Sequence, residues 1–296
     1  MQVVSRRKIY FILSGALIIA SALSLGFWGL NLAIDFTGGT LMEIEFLDKR
    51  PANQEIRDKL AGLELGQINL QATEEKGMIL RLKDINEETH QKILEAIGFE
   101  QINEKRFESI GPLIGAELKR KAFWAIILAL AAIILYIAWA FRKVSKPVAS
   151  WQYGLVAIIA LFHDIFITLG LFSLFGHFKQ IEIGLPFVAA FLTILGYSVN
   201  NSIVIFDRVR ENLLKTSWHE FGQVINQSIN QSLTRCLNTA STTLFVLLAI
   251  FFLGGQSIKY FSLALIVGII IGTYSSIFIT SPLIVIWQRW KYRDKI

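Results

Sequence analysis

An uncharged stretch at residues 183–206 contains the residue types most suggestive of chemistry. As a helix these 24 residues would be roughly 36 Å long, which is enough to cross a membrane. Its second half carries five polar side chains in six positions: Tyr197, Ser198, Asn200, Asn201 and Ser202. Such groups are costly in lipid unless they face protein or water. The stretch therefore either lines a polar pathway or forms hydrogen bonds between helices.

Asp164 places a carboxylate near the middle of another apolar stretch, directly after His163. An ionised carboxylate is expensive there unless it is paired or hydrated, and ionisable groups at such depth usually serve a function. Because neighbours on a helix point about 100° apart, His163 is expected to face another direction. Two interpretations of Asp164 stay open, a proton site and a hydrogen-bonding partner of a neighbouring helix.

A third polar group opens the next apolar stretch, where Arg235 is followed by several amide and hydroxyl side chains. Arg235, Asn238 or Thr239, and Thr242 are spaced so that they share one face of a helix. Arg235 could pair with a carboxylate, or its long side chain could extend to lipid headgroups at the membrane edge. The sequence does not decide between these two roles.

Other kinds of chemistry find little support in the residue pattern. Cys236 is the single cysteine, and the four histidines are scattered, so neither a disulfide nor a metal site is expected. Gly38 and Gly39 allow a tight turn after Asp35, but no Gly-Lys-Ser/Thr follows, so the turn is not a phosphate loop. With no nucleophile–base pair either, we expect no enzyme activity and no cofactor.

The composition is that of a protein with many membrane spans, since 53% of its 296 residues are hydrophobic and 18% are charged. Residues 31–120 hold 17 Asp/Glu against 12 Lys/Arg, whereas the rest of the chain holds 6 against 17. The basic excess lies mostly in short loops beside apolar runs. This is the positive-inside pattern of a lipid-bilayer protein and does not indicate nucleic-acid binding.

The apolar runs predict six membrane spans with both termini in the cytoplasm, at residues 9–30, 122–141, 148–178, 183–206, 236–258 and 260–288. The chain then divides into a first helix with a basic start at 1–30, a domain outside the cytoplasm at 31–118, and the other five helices at 119–296. The first run is longer than the apolar region of a signal peptide, which favours a retained helix over a cleaved leader.

Two further segments lie outside the spans. Alternating and helical patterns between residues 41 and 110 follow the order βαββαβ, which is the ferredoxin-like arrangement. A cytoplasmic amphipathic segment is expected at 207–233, and its apolar face is formed by Trp218, Phe221, Val224 and Ile225.

These motifs together resemble the SecF family, the smaller subunits of the bacterial SecD–SecF protein-export complex in the resistance–nodulation–division superfamily. The resemblance spans nearly the whole chain, in order, and rests on sets of residues that are each weak alone. They are Asp35 to Thr40 with Gly38 and Gly39, Gly111-Pro112, His163-Asp164, Gly196-Tyr197-Ser198, Ile203 to Asn212 with Asp207, Arg208, Arg210, Glu211 and Asn212, and Arg235 with Thr239, Thr242 and Thr243.

The resemblance implies a proton-driven factor in the cytoplasmic (inner) membrane that assists protein export after the SecA step. It implies SecD as a partner with a similar six-helix half, and contact with the SecY-E-G translocon and the unfolded exported polypeptide. The soluble domain would pull or hold that polypeptide on the outer side.

One departure from the family concerns the fourth span. The family usually has Asn-Asp where this chain has Asn200-Asn201, and the acidic member is the family's intramembrane proton site. An amide does not titrate near neutral pH. The SecD half could then carry the protons alone, Asp164 could take over part of the role, or the residue could be an engineered substitution.

Two other functions stay open. A passive scaffold would only stabilise the translocon assembly, without handling protons. A small-solute exporter of the same superfamily would export ions or small molecules, although such exporters are usually long chains with two six-helix halves. Proton-dependent export that requires this chain would exclude the scaffold, and a neighbouring SecD-like reading frame would exclude the exporter.

Overall fold

The structure, a computed structural model, describes residues 2–73, 75–140, 148–215 and 221–291. The chain forms two compact units, one of Met1–Asn31 with Trp124–Ile296 and the other of Leu32–Phe123. We expected the soluble domain at 31–118. The compact unit extends further because the first turns of the second long helix pack against the Gly38 turn.

Six helices in the described part of the chain are long and apolar enough to cross a membrane, as predicted. Five are the single helices α1 (Arg7–Trp28), α5 (Pro112–Ala140), α6 (Ser150–Lys179), α7 (Leu185–Leu213) and α8 (Phe221–Leu253). The sixth span, Ile258–Gln288, combines α9 (Gln256–Ser275), a π-helical turn (Ser276–Thr280) and α10 (Ser281–Lys291). Arg142, Lys143 and Lys146, which lie between the second and third predicted spans, are outside the described residues.

The second unit has the predicted ferredoxin-like order. Its elements are α2 (Ile34–Thr37), β1 (Gly39–Phe46), α3 (Asn53–Leu60), β2 (Asn69–Thr73), β3 (Gly77–Leu82), α4 (Glu87–Ile97) and β4 (Ile102–Ile110). The sheet is antiparallel with strand order β2-β3-β1-β4. Helices α3 and α4 bury Ile56, Leu60 and Ile93 against the alternate strand residues Met42 and Ile44.

The paired glycines form a tight junction at the start of this unit. Gly38 and Gly39 have φ of 74° and 123°, conformations that L side chains rarely adopt. A Cβ on Gly38 would lie 2.8 Å from Pro112 Cα, and a Cβ on Gly115 would lie 2.9 Å from Gly38 N. The backbone of α2 therefore touches the first turns of α5, which only glycine allows.

In the membrane unit, α7 packs between α6, α8 and α9. One apolar cluster joins α6 to α7 through Tyr153, Val156, Leu195 and Phe206. The glycines of the sixth span permit close packing, because a Cβ on Gly268 would overlap the Ile194 side chain. These contacts bring the polar residues of three helices together.

The segment 207–233 differs from the expected interfacial helix. Among its described residues, those up to Leu213 continue α7, and those from Phe221 begin α8. Ile225 and Ile229 are buried against Val209 and Val3 of the same unit, so this apolar face is covered by protein. Periodicity found the apolar face but could not tell a protein surface from a membrane surface. Trp218 lies outside the described residues.

The π-helical turn in the sixth span has a local cause. Pro282 lacks an N–H, so it leaves the carbonyl four residues earlier without a helical donor, and its ring crowds that carbonyl. The helix widens into the π-helical turn just before Pro282. Thr280 and Ser281 hydroxyls then donate to the carbonyls of Ser275 and Ser276, five residues back, at 3.0 and 3.3 Å.

Candidate functional site

Asp164 lies where α6, α7 and α9 meet, and its side chain is fully buried. Its Oδ2 accepts hydrogen bonds from Ser198 Oγ of α7 at 2.5 Å and from Ser275 Oγ of α9 at 2.8 Å. Its Oδ1 lies 2.9 Å from His163 Nδ1. Polar groups from three helices thus surround one carboxylate, which removes much of the cost of burying it.

His163 contacts Asp164 although the two residues are adjacent in sequence, which we did not expect. Their Cα–Cβ bonds diverge, but the imidazole is long enough to turn back to the carboxylate. The other ring nitrogen, Nε2, is buried and has no hydrogen-bond partner among the described residues. The His163 ring stacks 6.5 Å from the Tyr274 ring, and Tyr274 donates to the Tyr10 carbonyl at 3.0 Å.

The two asparagines of the fourth span have different surroundings. Asn201 is 2% exposed, and its Nδ2 donates to Thr273 Oγ1 of α9 at 3.3 Å. Asn200, about 100° further round α7, is exposed. Ser202 Oγ lies 3.1 Å from Ser276 Oγ, so the buried polar row of α7 continues along α9.

Arg235, Thr239 and Thr242 share one face of α8, as their spacing predicted, and this face is exposed. Within the described residues Arg235 makes no ion pair with a carboxylate. The threonine hydroxyls donate to carbonyls of their own helix, as in the bond from Thr239 to the Arg235 carbonyl at 2.9 Å. Arg235 is therefore separate from Asp164 and Asn201 and points away from the bundle interior.

The charged cluster at the end of α7 is held together locally. Arg208 Nη1 lies 2.6 Å from Glu211 Oε2, and Arg210 Nη2 lies 3.4 Å from Asp207 Oδ1. Asn212 has a different environment: it is buried, and its Nδ2 donates to Ser228 Oγ and Gln231 Oε1 of α8 at 2.9 Å each. It connects the ends of two membrane helices.

The remaining motif residue, Asp35, lies in the first turn of α2, beside the glycine junction. In the same unit, a hydrogen bond from Lys105 holds the pKa of Glu45 below its ordinary value. The Lys105 and Glu45 side chains are 48% and 41% exposed, whereas Asp35 is half-buried. No group of three or more His, Cys, Asp or Glu that could hold a metal ion is found in the described part of the chain.

Chemically, the Asp164 site can exchange a proton between a carboxylate and an imidazole in direct contact. Sequence reasoning identified Asp164 and Asn201, but it missed Ser275 and Thr273. Both are short polar side chains on the sixth span. A row of hydroxyl residues in an apolar helix was the signal that could have found them.

Two family models match the chain. The model described as "Protein export membrane protein SecD/SecF, C-terminal" covers residues 89–290, and the model described as "SecD/SecF GG Motif" covers residues 24–46. The second match includes the glycine junction, and the first includes every residue of the Asp164 site.

Curated relatives match over most of their length. The protein translocase subunit SecF of Thermobaculum terrenum is 40% identical, with 97% of this chain and 94% of the relative covered. That of Vibrio alginolyticus is 41% identical, with 93% and 86% covered.

Solved structures agree with this assignment. The crystal structure of SecDF, a translocon-associated membrane protein from Thermus thermophilus, has a TM-score of 0.83 and 33% identity. A second structure, SecDF in the super-membrane-facing form, has a TM-score of 0.66 and 34% identity. Each covers at least 97% of this chain, which spans 39% of the solved SecDF chain. Family models, relatives and fold therefore converge, and the chain belongs to the SecF family of protein translocase subunits.

Proposed function

We propose that this chain assists protein export as the SecF subunit of a SecD–SecF complex, and that Asp164 with His163 handles protons for it. The observation that carries the proton role is the fully buried Asp164 carboxylate, which His163, Ser198 and Ser275 contact directly. Ionisable groups inside membrane helices are rare and mark proton relays or substrate pathways. Export past the SecA step would then draw on the proton motive force.

The amide at Asn201 supports the assignment of the proton role to Asp164. It lies on the buried face of α7, three residues from Ser198, where the family usually has an acid. Because an amide only donates and accepts hydrogen bonds, it carries no proton. Among the described residues of the membrane unit, Asp164 and His163 are a buried acid and base in direct contact, so we assign the relay to them.

The polar face of α8 supports a partner within the membrane. An arginine on a lipid-facing helix surface costs about 2.5–3.5 kcal/mol near the bilayer centre, and less where it can reach the headgroups. Covering Arg235 with a carboxylate of another protein removes that cost. We assign this cover to SecD, since the solved relatives are SecDF chains and the present chain accounts for 39% of one of them.

The loop charges support an orientation with both termini in the cytoplasm and residues 31–118 on the outer side. There the ferredoxin-like unit can meet the emerging unfolded polypeptide, next to the SecY-E-G translocon. Neither unit has a nucleophile–base constellation in its described residues, so we assign the chain no enzyme activity of its own.

A scaffold role is the second candidate, and one observation favours it. Both oxygens of Asp164 already have hydrogen-bonding partners, so the carboxylate could serve only to join α6, α7 and α9. The two functions differ in how export responds to a proton gradient.

The test is export into inverted membrane vesicles that contain the SecDF complex, with and without a proton gradient. Asp164→Asn keeps the size and acceptor oxygen of the side chain but cannot exchange protons. We expect it to remove the gradient-dependent part of export and leave the gradient-independent part. Asp84→Asn, an exposed carboxylate of the soluble unit, is the matched control. Gradient stimulation of equal size in Asp164→Asn and wild type would favour the scaffold.

A further inference from the structure

The hydroxyl of Ser275 faces two acceptors but has one hydrogen to donate. Its Oγ lies 2.8 Å from Asp164 Oδ2 and 3.2 Å from the carbonyl oxygen of Gly272. An ionised carboxylate attracts that hydrogen more strongly than a peptide carbonyl does. Once Oδ2 carries a proton, it becomes a donor itself, and Ser275 is free to donate to Gly272.

The same carbonyl is an acceptor for the next residue. Ser276 Oγ lies 2.8 Å from the Gly272 carbonyl oxygen, 3.2 Å from the Ser198 carbonyl oxygen and 3.1 Å from Ser202 Oγ. When Ser275 takes the Gly272 carbonyl, the Ser276 hydrogen is redirected to α7. A change at Asp164 is thereby passed to hydrogen bonds between α9 and α7.

These serines stand directly before the π-helical turn Ser276–Thr280. The turn is closed by side chains, because Thr280 donates to the Ser275 carbonyl and Ser281 to the Ser276 carbonyl. π-Helical turns are rare and occur frequently at functional sites. Beyond the turn, Gln288 Nε2 of α10 donates to Gln152 Oε1 of α6 at 2.9 Å. Movement at the turn would therefore reach the far ends of both helices.

We propose that Ser275 is a positioning residue that couples proton occupancy of Asp164 to the geometry of the π-helical turn. This inference rests on the proposed proton role of Asp164. In the ionised state, the Ser275 hydrogen bond ties the start of the turn to α6. In the protonated state, that tie is released and the hydroxyl row of α9 bonds to α7 instead.

Few other groups around Asp164 can titrate or carry charge in the described part of the chain. On its own helix, His163 contacts it, and from α9, Tyr274 stacks on the His163 ring. From α7 come Ser198 and the amide of Asn201, neither of which titrates near neutral pH. From α1, Ser14 donates to the Tyr274 hydroxyl at 3.3 Å.

The test compares variants of Ser275 in the full SecDF complex. Ser275→Ala removes the hydroxyl, and Ser275→Thr keeps it. Ser262→Ala removes another buried hydroxyl of α9, whose bond within the described residues is to the Lys259 carbonyl. We expect Ser275→Ala to shift the pH profile of gradient-driven export and to lower its rate about tenfold, the size of one lost hydrogen bond to a charged group. Ser275→Thr should restore the wild-type profile, and Ser262→Ala should not change it.

A second measurement follows the turn itself. An environment-sensitive fluorophore on Trp290→Cys, an exposed position of α10, in a Cys236→Ala background reports on movement after the turn. We expect its emission to change with pH in the parent protein, and to become pH-independent in Asp164→Asn and in Ser275→Ala. Thr280→Val, which removes the hydroxyl that closes the turn but keeps its shape, should weaken the response if Ser275→Ala does not assemble.

The outcomes separate the two proposals. If Asp164→Asn abolishes gradient-driven export while Ser275→Ala keeps the wild-type pH profile and fluorescence response, the coupling is wrong and the proton role stands. If Asp164→Asn leaves export unchanged, the proton role fails. A pH-dependent emission that survives in Asp164→Asn would also overturn the coupling.

Discussion

Asn201 Nδ2 donates to Thr273 Oγ1 of α9 at 3.3 Å. Ser275 of the same helix donates to the Asp164 carboxylate of α6, so α9 contacts both the amide and the acid. Ser198, the partner of Asp164, lies three residues before Asn201 on the same buried face. The amide and the carboxylate therefore occupy neighbouring positions of one polar layer. A titrating group at residue 201 would have a hydroxyl ready to donate to it.

The first prediction is that Asn201→Asp changes the pH dependence of export. An aspartate has nearly the shape of asparagine, and the Thr273 hydroxyl can reverse its role and donate to it. The variant would add a second buried carboxylate beside the first, so protons could load at two sites. The measurement is the rate of gradient-driven export across outside pH.

Asn200→Asp is its matched control, since Asn200 is the neighbouring amide on the same helix but is exposed. The pH profile of export in Asn200→Asp should match that of wild type. Were Asn201→Asp, Asp164→Asn and wild type to give one identical profile, neither buried position would handle protons, and the scaffold role would be the better account.

Local patterns in the sequence predicted the elements of the fold well, because hydropathy, turn residues and strand alternation act over short distances. The βαββαβ order and the six spans follow from them, and Asn86 caps α4 by accepting from Thr89 N at 3.0 Å. Asn53 has a side chain of the same capping type, yet it is the first residue of α3, and Ala52 occupies the cap position. The cap is set by the backbone angles at one residue, which the composition of the segment does not determine.

The partners in the site could not be predicted in the same way. Ser198 and Ser275 are 77 positions apart in the chain, and only the packing of α7 on α9 brings both to Asp164. The spacing of Arg235 and Thr242 gave their common face, but not whether that face points inward. That direction depends on the other helices, and it was settled only by the fold.

The second prediction concerns orientation. In a Cys236→Ala background, a cysteine at Lys76 should react with a membrane-impermeant thiol reagent added outside intact cells, and a cysteine at Lys215 should not. Both side chains are exposed, Lys76 in the soluble unit and Lys215 just after α7, so access depends on the side of the membrane. A permeant reagent, which should label both, is the control. If only the cysteine at the Lys215 position were labelled, the orientation would be the reverse of the one proposed.

The third prediction is that Gly115→Ala destabilises the soluble unit. Its Cβ would lie 2.9 Å from Gly38 N, a backbone atom that cannot move aside easily. Overpacking of this kind costs about 1–3 kcal/mol. The measurement is the protease resistance of the soluble unit in membranes as the temperature is raised. The variant should lose this resistance at a lower temperature than wild type.

Gly62→Ala is the comparison for this junction, because a Cβ on Gly62 meets nothing within 4 Å. Its melting behaviour should match wild type. Equal stability of Gly115→Ala and wild type would mean that the junction of α2 with α5 opens readily.

The last prediction concerns the exposed polar face of α8. If SecD covers it, Arg235→Ala should weaken the association of the two subunits in mild detergent. Removing one member of a charge pair that the partner has desolvated leaves the other without compensation, at a cost of about 2–5 kcal/mol. Co-purification of SecD with the tagged chain measures the loss, and at least a tenfold reduction is expected.

Two further variants decide whether the weaker association reflects the lost charge of Arg235 or a general change in the surface of α8. Leu237→Ala truncates an exposed side chain two positions away that points from the other side of α8, and it should leave co-purification unchanged. Arg235→Lys keeps the charge but loses the two-pronged geometry of guanidinium, so it should retain part of the association. If all three variants bring down SecD like wild type, the α8 face contacts lipid headgroups instead, and the side chain of Arg235 extends to them.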